Sequence, residues 1–135
     1  MDIKFLPPIA EQMKPINMYD FDGVVSIGVN PSSSEDVIVT GRCRDESEYV
    51  FSILRQRGIK NAVYFNPLTL QARGFNTEFS RKHSGVHKAN IISMFKKANV
   101  RIKAFFEDDQ LQAAIIKANH EDLEIVLLDH NLVNK

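Results

Sequence analysis

The chain has 135 residues, enough for one domain that buries roughly two-thirds of its unfolded surface. Its apolar fraction of 44% and charged fraction of 25% are ordinary for a globular protein. Lys plus Arg equals Asp plus Glu at 17 each, and this zero balance argues against a general nucleic-acid binder or a membrane-surface protein.

Residues 1–15 hold Pro7, Pro8 and Pro15 and read as an irregular lead-in, with a single domain from 16 to 135. Met1 to Lys14 carries acids among its bases and no long apolar run, so it does not read as a signal peptide. No stretch approaches the length of a membrane span, and a cytoplasmic location is the default expectation. Apolar runs of strand length follow at Ile16–Phe21, Asp36–Thr40, Asn61–Phe65, Ile102–Phe106 and Glu124–Leu128. They barely alternate with polar residues, as in parallel strands covered on both faces.

Helical patterns lie between these runs. Glu46–Arg57 groups Tyr49, Val50, Ile53 and Leu54, and Gly58 stops it. His87–Ala98 groups Ile91, Ile92 and Phe95. Asp109–Ala118 groups Leu111, Ala114, Ile115 and Ala118, with Asp109 as a cap or first-turn acid. Strands alternating with helices predict an α/β fold: a Rossmann-like, five-stranded parallel sheet with helices on both faces. Ser26–Glu35 and Asn66–Val86 read as long connections, and connections of such length are often functional.

The charge is unevenly spread. Phe79 to Phe106 contains no acid but holds Arg81, Lys82, Lys88, Lys96, Lys97, Arg101 and Lys103. Glu107 to Glu124 reverses this, with six acids against Lys117. The lone Cys43 excludes an intrachain disulfide and fits a reducing compartment. It reads as an inert thiol, and His83 and His87 read as surface histidines or weak substrate contacts.

Ligands of open α/β sheets sit at the carboxyl ends of the strands. Those ends carry Asp20-Phe21-Asp22-Gly23-Val24, Thr40-Gly41-Arg42 and Glu107-Asp108-Asp109, with Lys88 opening the helix before the fourth strand. Clustered carboxylates repel one another unless a hard cation such as Mg2+ lies between them. A phosphate needs a cation and hydroxyl or amide donors. A carboxylate can attack phosphorus and form an aspartyl phosphate, and a second, two residues on, can donate a proton to the leaving oxygen. Gly23 lets the chain bend so that backbone amides approach the phosphate. The set suits phosphoryl transfer.

These segments, in this order, resemble the four signatures of the haloacid-dehalogenase-like (HAD) superfamily over roughly Ile16 to Leu132. The resemblance implies that Asp20 is the nucleophile and Asp22 the general acid and then base. It implies Mg2+ at Asp20, the Asp22 carbonyl, and Glu107 or Asp108, with Asp108 the more important of the two. Thr40, Gly41 and Lys88 would hold the phosphate. The fourth strand would lie beside the first. Val24 stands where many members carry Thr, and Glu107 where many carry Asp.

Neither long connection has room for a cap domain, and capless members leave an open site that suits macromolecular phosphates. Phe65-Asn66-Pro67-Leu68-Thr69-Leu70 is similar to small members linked to nucleic-acid end repair. Arg42, Arg81 and Lys82 are the candidate substrate contacts, and phosphorylated nucleic-acid ends the candidate substrate. A phosphoprotein phosphatase of the same mechanism, and a non-catalytic HAD-like or receiver-like binding module, are the competing readings.

Overall fold

The computed structural model describes residues 14–75, 77–128 and 130; nearly all of the lead-in therefore lies outside the described residues. Five strands, β1 (Ile16–Tyr19), β2 (Val37–Cys43), β3 (Val63–Asn66), β4 (Ile102–Glu107) and β5 (Glu124–Leu127), form one sheet in the order β3-β2-β1-β4-β5. Every pairing is parallel, so the sheet is the Rossmann-like α/β arrangement that the buried runs predict. β1 lies against β4 with Tyr19 opposite Phe106, and the two rings stack with centroids 4.7 Å apart.

Both faces are covered. Alternate residues of β1 and β2 point to opposite sides. Ile16, Met18, Val37 and Val39 pack on one side with Phe105, Ile92, Ile116 and Leu123. Tyr19, Phe21 and Ile38 pack on the other with Val24, Val25, Val50 and Leu54. Helix α1 (Ser47–Gln56) supplies Val50 and Leu54 to the second side and ends just before Gly58, whose φ of 67° places it in the left-handed region. Tyr49, expected in the apolar group of this helix, is 49% exposed.

The connection Ser26–Glu35 is pinned down at its far end. The buried Asp36 carboxylate accepts from the Asn17 N–H, the Tyr19 hydroxyl and the Ser32 N–H and hydroxyl. Asn61 Nδ2 donates to the Ser33 and Asp36 carbonyls. Among the described residues there is no cap domain, and no helix is long and apolar enough to cross a membrane.

Two expectations are corrected. Asn66–Val86 is not a long loop. It contains a short helix α2 (Leu70–Arg73) and the first half of α3 (Glu78–Lys97). Lys88 therefore lies near the middle of a helix rather than at its start. The sequence hid this because Ser84-Gly85 reads as a break, glycine costing about 1 kcal/mol in a helix interior. Here Gly85 has a packing reason: a Cβ at this position would sit 3.1 Å from Ile115 of α4 (Gln110–Asn119). Thr77 caps α3 by accepting from the Ser80 N–H.

The second correction concerns α4. It buries Ala113 and Ile116, while Ala114 and Ala118 are exposed. Apolar residues run almost unbroken from Leu111 to Ile116, so periodicity alone leaves the face ambiguous. Ile116→Ala is expected to cost about 2–5 kcal/mol in urea denaturation, the range for a large aliphatic core residue. Ala118→Ser should stay within about 0.5 kcal/mol. Equal effects would show that the face is assigned wrongly.

Candidate active site

β1 ends at Tyr19, and the chain leaves the sheet as Asp20-Phe21-Asp22-Gly23. Asp20 is buried; its N–H donates to the Phe106 carbonyl, and its Oδ1 accepts from the Phe21 N–H at 2.8 Å. The neighbouring β4 ends in Glu107, followed by Asp108. Because β1 and β4 are adjacent, Asp20, Glu107 and Asp108 converge, each offering a carboxylate oxygen within 4.8 Å of the others. The fourth strand expected beside the first is there.

Lys88 reaches this point from α3. It is 1% exposed, and its Nζ lies 3.1 Å from Asp20 Oδ1, 2.6 Å from Glu107 Oε1 and 2.6 Å from Gln112 Oε1. Three acceptors use the full donor capacity of an ammonium group. Burial opposes the charged form of Lys88, but Asp20 and Glu107 outweigh it and hold its pKa above the ordinary value. Burial raises the Asp20 pKa well above that of a free carboxylate. Glu107 and Asp108 push it the same way, and Lys88 only partly offsets them.

The two fourth-strand acids differ in surroundings. Glu107 is fully buried: Oε1 accepts from Lys88, and Oε2 from the N–H groups of Asp108 and Asp109 at 3.0 and 3.2 Å. Its pKa is lowered: burial is outweighed by Lys88, by a hydrogen bond with Asp20 and by the Asp109 N–H. Asp108 lines the cleft and meets His130 Nε2 at 3.1 Å. Its pKa is raised by burial and by Glu107. Gly23 has a φ of 73°, and a Cβ there would collide with the Asp108 carboxylate. A side chain at position 23 and Asp108 in its present place are thus mutually exclusive.

Above these groups opens a cleft of about 440 Å³. Its walls carry the expected Asp20, Asp22, Gly41, Arg42, Arg81, Lys88 and Asp108. Thr40 is a fully buried residue within β2 and is not on the cleft wall; its Oγ1 accepts from the Arg42 N–H at 3.1 Å, and its neighbours Gly41 and Arg42 form the wall here. Asp22 stands apart from the carboxylate trio and is 48% exposed. Arg42 clasps it with Nε at 2.8 Å and Nη2 at 2.9 Å. Arg42 also reaches Glu46 at 2.9 Å.

Arg81 lines the cleft but is paired with both oxygens of Asp109 at 2.9 Å. Lys82 faces Glu78 at 3.3 Å and does not reach the wall. The basic run is thus mostly committed. Of its seven cations, Arg81, Lys82, Lys88 and Lys96 have acid partners. His87 is buried rather than superficial, its Nε2 has no hydrogen-bond partner among the described residues, and burial pushes its pKa down to about 4. Cys43 is buried, and burial raises its thiol pKa, in keeping with an inert residue.

Sequence reasoning missed Arg73, Phe75, Ser80, Ser84 and Gln112 on the cleft wall. Ser80, Ser84 and Lys88 recur every four residues and so share one face of α3. The spacing is present in the sequence, but a helix beginning at His87 leaves Ser80 and Ser84 outside it.

Compared with protein-family models, curated proteins and solved structures, the chain matches none. The functional reading therefore stands on the chemistry of this site.

Asp109 caps α4 by accepting from the Leu111 and Gln112 N–H groups. Its hydrogen bonds with Arg81, chiefly, lower its pKa from 3.8 to about 2. A depressed carboxylate adds stability above its unfolded pKa and loses it as the pH falls through the folded value. Thermal melts should therefore show the protein losing stability from about pH 4 to about pH 2, and Asp109→Asn losing less over the same interval. Asparagine still caps the helix. Parallel curves would remove the Arg81 pair from the account.

Proposed function

We propose that the protein is a Mg2+-dependent phosphomonoester hydrolase of the HAD type, working through an aspartyl phosphate on Asp20 and acting on polynucleotide phosphate ends. The observation that carries this reading is the buried Asp20–Lys88–Glu107 cluster, with Asp108 beside it, at the floor of an open cleft. The carboxylate trio is a hard-oxygen set suited to Mg2+. The raised Asp20 pKa reflects burial among acids that Lys88 alone does not balance. Asp20, Asp108 and the Asp22 carbonyl would hold the ion, with Glu107 behind them. When bound, it would supply the charge that keeps Asp20 ionised and neutralises phosphoryl oxygens.

In the proposed sequence an Asp20 carboxylate oxygen bonds to phosphorus as the ester P–O bond breaks, and Asp22 gives its proton to the leaving oxygen. Asp22 then takes a proton from water as that water attacks phosphorus, which breaks the Asp20–phosphorus bond and releases phosphate. Lys88, the Gly41 amide and the Ser84 hydroxyl are the groups that would meet phosphoryl oxygens. Lys88 would exchange its Gln112 contact for the phosphate, since its other two contacts fix the acids. The absence of a cap among the described residues supports a chain end as substrate. A phosphoprotein substrate fits the same mechanism. The Asp22–Arg42 clasp is the contact that favours a non-catalytic module, because it occupies both oxygens of the Asp22 carboxylate. A receiver-like arrangement is disfavoured, since the acids here follow β1 and β4 and the buried Asn66 ends β3.

The test is hydrolysis of p-nitrophenyl phosphate and of phosphorylated oligonucleotides with Mg2+ and with a chelator. Activity should vanish with the chelator and in Asp20→Asn. In Asp22→Asn it should fall about 10²–10⁴-fold, the usual contribution of general acid–base catalysis. Calorimetry should show weaker Mg2+ binding in Asp108→Asn and a smaller loss in Glu107→Gln. Near-wild-type turnover by Asp20→Asn would end the covalent reading.

A further inference from the structure

Phe75 is the large apolar side chain that stands on the cleft wall itself. It is 68% exposed and lines the same space as Asp20, Lys88 and Asp108. A single exposed phenyl ring is common on a protein surface; this one is distinguished by how firmly its base is held. Arg73, two residues earlier, has a side chain only 10% exposed. Its guanidinium donates to the Gly41 carbonyl at 2.8 Å, the Gly74 carbonyl at 2.8 Å and Glu46 at 3.1 Å, and its Cζ lies 5.8 Å over the Phe75 ring. The segment is thereby tied to the end of β2, one of the strands that form the site. Gly74, with a φ of 75°, turns the chain between the two.

The charges around the cleft sharpen the point. Arg42, Arg73 and Arg81 all face it, and each is already paired, with Asp22, Glu46 and Asp109 respectively. The whole chain has no net charge. A polyanion therefore meets little uncompensated positive potential here, and attraction to its phosphates alone gives a weak grip. Recognition must draw on a contact that is not electrostatic, and the ring is placed to provide it.

We propose that Phe75 is a stacking platform for the nucleobase adjoining the phosphate in the cleft. The proposal rests on the phosphatase reading and narrows its substrate to a phosphorylated single-stranded nucleic-acid end. Every base presents a π-face, so such a platform is tolerant of sequence. Arg73 behind the ring adds a cation to the stack. Sugar phosphates and most phosphopeptides carry no aromatic face next to the phosphate.

The experiment compares short oligonucleotides phosphorylated at the 3′ or 5′ end with the same strands whose terminal nucleotide is abasic. Binding is read by fluorescence anisotropy in the Asp20→Asn background, and KM by hydrolysis in the otherwise wild-type protein. Phe75→Ala should weaken binding of the base-bearing end and raise its KM about 5- to 100-fold, the range for one stacked base. Phe75→Trp should keep both values. The abasic end should lose the same factor on the unsubstituted ring, and Phe75→Ala should add little to that loss. Equal effects of Phe75→Ala on both ends, or none on either, would overturn the proposal. So would tighter, Phe75-dependent binding of a phosphotyrosine peptide than of the base-bearing end. If no ester is hydrolysed while the anisotropy difference persists, the catalytic reading falls and the platform stands.

Discussion

The site depends on one buried cation. Lys88 sits at the floor of the cleft, almost wholly buried, a position that is strongly unfavourable for a charge unless acids of opposite sign surround it. Asp20 and Glu107 surround it, and each needs it in turn, since two carboxylates brought together in the interior would otherwise repel. The fold meets this requirement by placing β1 next to β4, so that both strands end in an acid at the same level. It also packs α3 against the sheet through Ile92, so that Lys88, near the middle of the helix, reaches both acids. Gly85 belongs to the same device. By letting α4 approach closely, it lets Gln112 become the third partner of the ammonium group.

The sheet was legible in the sequence because its central strands β1 and β2 are buried on both faces, and all five strands appear as short apolar runs. The acids after β1 and β4 were legible because they follow those runs directly. What was not legible follows from competing local signals. Ser84-Gly85 has the composition of a break, but close packing against Ile115 offsets the glycine's helix cost. With α3 taken to begin too late, Ser80 and Ser84 lost their helical frame and Arg73 and Phe75 fell into an apparent loop. Thr40 shows a different limit. The apolar run ends at Thr40, but β2 continues to Cys43, so Thr40 lies inside the strand with its hydroxyl on the Arg42 amide, and the polar Thr40-Gly41-Arg42 sequence does not announce that extension.

Pairing has also changed the meaning of the charge run from Phe79 to Phe106. In the sequence it looks like a positive flank. In the fold it meets acids from elsewhere: Asp20 and Glu107 at Lys88, Asp109 at Arg81 and Asp122 at Lys96. The exposed pairs add little stability each. Their larger effect is to flatten the field around the cleft, so that a run of like charge in sequence is not a patch of like charge in space.

A cleft lined with paired charges receives an anion by exchange rather than by simple attraction. Under the proposed reading the exchange that matters is at Arg42. In the structure its guanidinium spans Asp22 and Glu46. A phosphoryl group competing for that guanidinium would keep Arg42 compensated and loosen its hold on Asp22. The Asp22 carboxylate, half open to solvent at the wall, would then be free to take up the proton that the leaving oxygen needs. In the structure the same clasp holds the Asp22 carboxylate against Arg42. Asp22 would thus be released when a phosphate takes its place on Arg42, through a swap of partners at one guanidinium.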